Sequence, residues 1–171
     1  AIDSSRSAGG SSGGAALALA ARMTSIADGS DMMGSLRNPA GWNEIYGLRP
    51  TWGAVPSEPK GDTFLHQLST GGPMARSPAD LALLLDVQAG RDPRQPHSLN
   101  HTPVAGRLDA DVSGRKIAWL GDWSGAYLME AGVMDHAAAA VARLGAMGCV
   151  VEAVSAPFKA ADIWEAWITL R

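Results

Sequence analysis

The residues with the most capacity for chemistry are serines set among glycines, in two stretches near the start of the chain. The first reads Arg6-Ser7-Ala8-Gly9-Gly10-Ser11-Ser12-Gly13-Gly14, and the second Asp28-Gly29-Ser30-Asp31-Met32-Met33-Gly34-Ser35-Leu36-Arg37. A serine hydroxyl is a poor nucleophile until a nearby base takes its proton during attack. Glycines around it free the backbone for positive φ and for close approach to a ligand, because no Cβ intervenes. Asp28-Gly29 is a turn-forming pair that sets a further hydroxyl in the second stretch. Two serine loops joined by one short helix can converge in space, and a base must be supplied before either hydroxyl can attack.

The elements that must hold these loops follow from the flanking sequence. Residues 1–14 lack hydrophobic periodicity and read as loop, with a helix starting near Ser12 or Gly13. Gly14 to Met23 is alanine- and leucine-rich, with no charge before Arg22, and predicts a buried helix. Thr24 to Ala27 reads as a short strand feeding Asp28-Gly29. Asn38-Pro39 predicts a loop over 35–41, since proline pushes its predecessor out of the α region. Ile45 and Tyr46 predict a strand within 43–48. Pro50, Gly53, Pro56, Pro59 and Gly61 make 49–72 a long loop with short strand pieces.

Further along, Ser77-Pro78-Ala79-Asp80 is a helix start, with a capping serine and proline at the first helical position. Leu81, Leu84, Leu85 and Gln88 share its inward face, and Gly90 closes it. Residues 91–113 are polar and proline-bearing, a hinge or domain edge. Gly114 to Leu120 reads as a buried strand, and 131–147 as a helix with Val133, Ala137, Val141 and Leu144 on one stripe. Cys149 to Val154 is the next strand, and strand, helix, strand implies a parallel pair. Ala160 to Arg171 is an amphipathic helix.

Gly9-Gly10-Ser11-Ser12-Gly13-Gly14, the 24-residue step from Ser11 to Ser35, Gly34-Ser35-Leu36-Arg37, Gly47-Leu48-Arg49-Pro50-Thr51 and Gly72-Pro73-Met74-Ala75-Arg76 together resemble the amidase signature family. The resemblance implies an α/β fold, a mixed sheet flanked by helices, of which residues 1–171 are part of one domain. It implies amide hydrolysis through an acyl-enzyme on Ser35, with Ser11 relaying the proton after a cis peptide bond from Gly10. The backbone amides of Met32, Met33, Gly34 and Ser35 are the implied oxyanion donors. Ser12 and Ser30 support the serine network, and Asp31 with Arg37 brace the loop as a buried ion pair. Met33 departs from the family's usual glycine, which closes any φ that only glycine tolerates and sets a thioether near the acyl pocket.

The family's base is a lysine well before the first serine, and here Lys60, Lys116 and Lys159 all follow Ser35. The chain starts without methionine and stops in an apparent helix, so both ends read as cut and the fragment is expected to be inactive. The rival readings are a noncatalytic remnant and the glutamine-hydrolysing component of an amidotransferase.

Composition narrows the partners. A net charge of -3 and no basic run argue against nucleic acid. No apolar stretch reaches the ~18 residues of a membrane span. The single cysteine, Cys149, allows neither an internal disulfide nor a cysteine metal cluster. The resemblance implies a small-molecule amide as substrate, and together with it no cofactor, no metal and a cytoplasmic location are expected, while a homodimer stays open. The Gly-x-Ser-x-Gly string at 9–13 lacks the preceding strand of a nucleophile elbow, and no Gly-Lys-Ser or Gly-Lys-Thr marks a phosphate loop. His66, His97 and His101 read as solvated loop residues, His136 as surface, and the six tryptophans as core or interface.

Overall fold

The computed structural model describes residues 3, 5–58, 64 and 67–170. The readings of Pro59, Gly61, Lys60 and His66, and the outer ends of the first and last segments, lie outside these residues. The chain is mixed α/β and forms two compact units, Ala1–Asp109 and Ala110–Arg171.

The first unit carries both serine loops. Helix α1 (Gly13–Ala20) buries Gly13, Ala16 and Leu19. Strand β1 (Ile26–Asp31) runs through Asp28-Gly29, which the sequence read as a turn. Pairing overrides the turn preference: β1 lies antiparallel to β3 (Thr70–Ala75), with Gly29 opposite Gly72 and Asp31 opposite Thr70. Strand β3 is central, with β1 on one side and the short β2 (Tyr46–Gly47) on the other. The sequence placed much of β3 in a loop because Gly71-Gly72-Pro73 carries breaker residues. A Cβ at Gly72 would meet Leu36 Cδ1 and Pro50 Cδ, each at 2.8 Å, and also the Leu48 carbonyl, so close packing dictates the glycine.

Residues 37–42 form a helix, α2 (Arg37–Trp42), rather than the expected loop. Pro39 falls in its first turn, where proline is tolerated, and the Ser35 carbonyl four residues before it accepts from the Ser12 N–H at 3.2 Å instead. The Asn38 N–H donates to the Gly34 carbonyl at 2.7 Å, and Asn43 Nδ2 closes the far end on the Pro39 carbonyl at 2.8 Å. Ala16, Leu19, Leu36, Ala40, Ile45 and Met74 form the core beneath the two loops, with Ala15 and Ala27 packed against it.

Helix α3 (Pro78–Gln88) starts as the sequence indicates, with Ser77 Oγ accepting from the Asp80 N–H at 3.1 Å. Leu83 and Val87, on its other side, are exposed. A 3-10 turn, Ala105–Arg107, ends this unit.

In the second unit β4 (Lys116–Trp119) pairs in parallel with β5 (Val150–Ala153) across helix α4 (Val133–Ala146), and α5 (Ala160–Leu170) follows. Strand β4 is half-exposed rather than buried, and Val133 on α4 is exposed while Ala137, Val141 and Leu144 turn inward. Trp42 and Trp164 are also exposed, so of the core-or-interface reading the core half does not hold for these two. No helix among the described residues is long and apolar enough to cross a membrane.

Candidate active site

The site is built from the loop entering α1 and the turn between β1 and α2. The peptide bond between Gly10 and Ser11 is cis. Ser12 holds the cap position of α1, yet its hydroxyl makes no cap bond. It turns instead to β1, where it donates to the Ser30 carbonyl and accepts from the Ser30 N–H, each at 3.3 Å. That approach needs Gly29, since a Cβ there would meet Ser12 Cβ at 2.9 Å and Leu36 Cδ2 at 2.8 Å. Ser30 thus joins the network through its backbone. The two loops are tied directly by the Ser12 N–H, which donates to the Ser35 carbonyl at 3.2 Å.

Asp31 is the anchor of the second loop. It is fully buried at the end of β1. Its carboxylate accepts from the Gly34 N–H at 2.7 Å and the Leu36 N–H at 3.3 Å. Arg37 adds a bidentate pair, Nε to Oδ2 at 2.9 Å and Nη2 to Oδ1 at 3.0 Å. Burial pushes the Asp31 carboxyl up, but the Arg37 guanidinium and the two N–H donors outweigh it and hold the group at about 2. The pair is buried on one side only, because the Arg37 side chain is 55% exposed.

The turn so braced carries Ser35 half-buried, with Met32 and Met33 exposed beside it. Gly34 takes the positive φ, +101°, and Met33 is not among the non-glycine residues with positive φ, so the methionine closes no conformation the turn uses. Of the four expected oxyanion donors, the Gly34 N–H is already committed to Asp31. Neither the Ser11 nor the Ser35 hydroxyl makes a hydrogen bond among the described residues.

Arg49 is a participant to which sequence reasoning gave no role, although it stands inside the Gly47-to-Thr51 motif. Its Nε lies 3.3 Å from the Asp31 carbonyl, and its Nη2 donates to the Leu68 carbonyl at 2.6 Å. Asn43 likewise holds the first loop, donating to the Ala8 carbonyl at 2.8 Å.

Other expected or candidate groups belong to other elements. Lys116 begins β4 and Lys159 precedes α5, both in the second unit. His101 is not a solvated loop residue: its Nε2 pairs with Asp86 Oδ1 at 2.7 Å. His97 packs against the Trp52 and Phe64 rings, with centroids 5.0 and 5.7 Å away. A shallow cavity of about 430 Å³ in the second unit is lined by Trp123, Ser124, Phe158 and Lys159 among others, none from the serine loops.

The family pattern of the amidases matches residues 1–168. This chain belongs to the amidase signature family. It is 40% identical over 157 residues to a component of the glutamyl-tRNA(Gln) amidotransferase of Alcanivorax borkumensis, covering 91% of this chain and 32% of that one. It superposes on a bacterial aryl acylamidase of the amidase signature family with a TM-score of 0.85 and 32% identity, covering 95% of this chain and 34% of the other. The peptide amidase of Stenotrophomonas maltophilia gives a TM-score of 0.73 at 33% identity, covering 87% of this chain and 31% of that enzyme. The chain thus spans about a third of the length of each of these amidase signature proteins.

Proposed function

We propose that the full-length protein hydrolyses a small-molecule amide through an acyl-enzyme on Ser35. Ser35 Oγ attacks the amide carbonyl and its proton passes to Ser11 Oγ. Ser11 in turn gives its own proton to a lysine outside this chain. Collapse of the tetrahedral intermediate breaks the C–N bond, and the amine leaves with a proton delivered back along the same relay. Water then attacks the ester and restores Ser35. Developing negative charge on the carbonyl oxygen is met by backbone donors preorganised before the reaction. The N–H groups of Met32, Met33 and Ser35 fill that role, with Gly34 holding the turn through Asp31.

The observation that carries this reading is the Ser12 N–H bond to the Ser35 carbonyl at 3.2 Å, which joins the cis-peptide loop to a turn braced on a buried carboxylate. The chemistry calls for no cofactor. Lys60, Lys116 and Lys159 do not match the family's base, so the 171 residues alone are expected to lose the roughly 10²- to 10⁴-fold that a general base supplies. A cytoplasmic location belongs to the same proposal.

A second reading is favoured by the relatives named as components of an amidotransferase. In it the amide is that of glutamine and the ammonia released goes to a partner chain instead of solvent. Both readings require the same acylation. A fluorophosphonate applied to the full-length protein should modify Ser35, mapped by peptide mass spectrometry, and Ser35→Ala should abolish that label. Folded protein that takes no label at Ser35 would overturn both and leave a noncatalytic remnant.

A further inference from the structure

Asp31 meets a second guanidinium besides Arg37. Arg49 Nε approaches the Asp31 carboxylate Oδ1 at 3.4 Å and the Asp31 carbonyl at 3.3 Å, while Nη2 reaches across to the Leu68 carbonyl at 2.6 Å. Only 30% of the Arg49 side chain is exposed, against 55% for Arg37. The neighbours of Arg49 are fixed as well. The Leu48 N–H donates to the Pro73 carbonyl at 3.1 Å, and Pro50 is buried.

We propose that Arg49 is a positioning residue for Ser35, its planar fork clamping the last residue of β1 to the chain entering β3 and so aiming the turn that presents the nucleophile. This rests on the acyl-enzyme reading above. Arg37 neutralises the Asp31 carboxylate by a bidentate pair and leaves the Asp31 backbone untouched. Arg49 holds both that backbone and Leu68, and among the described residues no other side chain is seen to do so. A guanidinium spans such a gap because its donors diverge in a rigid plane, whereas a lysine ammonium is a single point charge. Charge and geometry can therefore be separated by substitution.

The test measures phosphonylation of Ser35 in full-length wild-type protein and in Arg49→Lys and Arg49→Met, over a range of fluorophosphonate concentrations. Three quantities are read: the limiting rate, the half-saturating concentration and the final labelled fraction. A misaimed nucleophile reacts slowly even when fully occupied, and a displacement on the order of 1 Å costs up to about 100-fold. Both variants should lose about tenfold or more in limiting rate, with half-saturation and labelled fraction unchanged. Rescue by Arg49→Lys would show that charge suffices and overturn the assignment. So would a loss confined to the labelled fraction, which reports unfolding. An unlabelled wild-type Ser35 would overturn the acyl-enzyme reading and Arg49 with it, whereas a labelled wild type with unchanged variant rates would overturn Arg49 alone.

Discussion

The Ser12 N–H donates to the Ser35 carbonyl at 3.2 Å, and the Ser12 hydroxyl bonds both backbone groups of Ser30. Ser12 therefore joins the loops, and Ser11, immediately before it, makes no hydroxyl hydrogen bond among the described residues. This division of labour separates the two serines experimentally. In the full-length protein Ser11→Ala should slow Ser35 labelling by about 100-fold or more, the scale of a lost proton-transfer partner. Ser12→Ala removes two hydroxyl bonds of 3.3 Å but keeps its N–H, and should slow labelling by about tenfold at most. Equal effects would count against Ser11 as the relay.

Asp31 makes the site sensitive to acid in a calculable direction. Its carboxyl sits at about 2 against an ordinary 3.8, so the folded state binds this proton less readily than the unfolded chain. The stabilisation is complete above the unfolded value and is lost as pH falls through the folded one. Its size is on the order of 2 kcal/mol. Urea midpoints from pH 7 to pH 2 should show Asp31→Asn well below wild type near neutrality, with the gap closing toward pH 2. A gap independent of pH would contradict the ion-pair account.

Gly34 combines two constraints, a φ of +101° and an Asn38 side chain that lies 2.7 Å from where a Cβ would sit. Gly34→Ala should lower stability by about 1–3 kcal/mol, the range for a residue held in a disfavoured backbone region. The Asn38 amide can swing aside, but the backbone cannot change without moving the N–H that Asp31 accepts. Gly34→Ala with Asn38→Ala should therefore regain little of the loss in thermal unfolding. Full recovery in the double variant would put the constraint in the Asn38 contact.

Sequence was legible where the physics is local. Ser77, Pro78 and Asp80 announce α3, and the structure adds a reciprocal bond from Ser77 Oγ to the Asp80 carboxylate at 2.8 Å. Ser77→Ala should cost about 1 kcal/mol, read from the thermal midpoint. The parallel β4 and β5 were equally plain from the helix between them. Strand β3 and the second half of β1 were not, because Gly29, Gly71, Gly72 and Pro73 are turn residues by local preference and become strand only through partners more than forty positions away. Helix α2 escaped notice for a related reason: the rule against Asn38-Pro39 in a helix is a statement about helix interiors, and here the proline lies in the first turn. At the site, Ser11, Ser35, Asp31 and Arg37 came from the motif. The role of Arg49 needed the strand pairing that brings Leu68 and Asp31 to the two ends of one guanidinium.

The same limit explains His101, which sequence left in solvent. Asp86 on α3 bonds His101 Nε2 at 2.7 Å, accepts the Val104 N–H at 2.8 and 3.1 Å on its two oxygens, and takes the Ala105 N–H at 3.0 Å. One carboxylate thus straps the segment that leads to the 3-10 turn. The Ala105 N–H, then His101 and the Val104 N–H, hold the Asp86 carboxyl below its ordinary range. By the linkage used for Asp31, the strap is intact above the unfolded carboxylate value and opens only as pH falls through the lowered folded one. Amide exchange of Val104 and Ala105, expressed as protection factors, should therefore be level from pH 7 to pH 5. Asp86→Ala should lower both factors about tenfold or more, and His101→Ala should lower them less because the two backbone donors remain. A larger effect from His101→Ala than from Asp86→Ala would move the anchor from the carboxylate to the imidazole, and a loss of protection between pH 7 and pH 5 would contradict the carboxylate linkage.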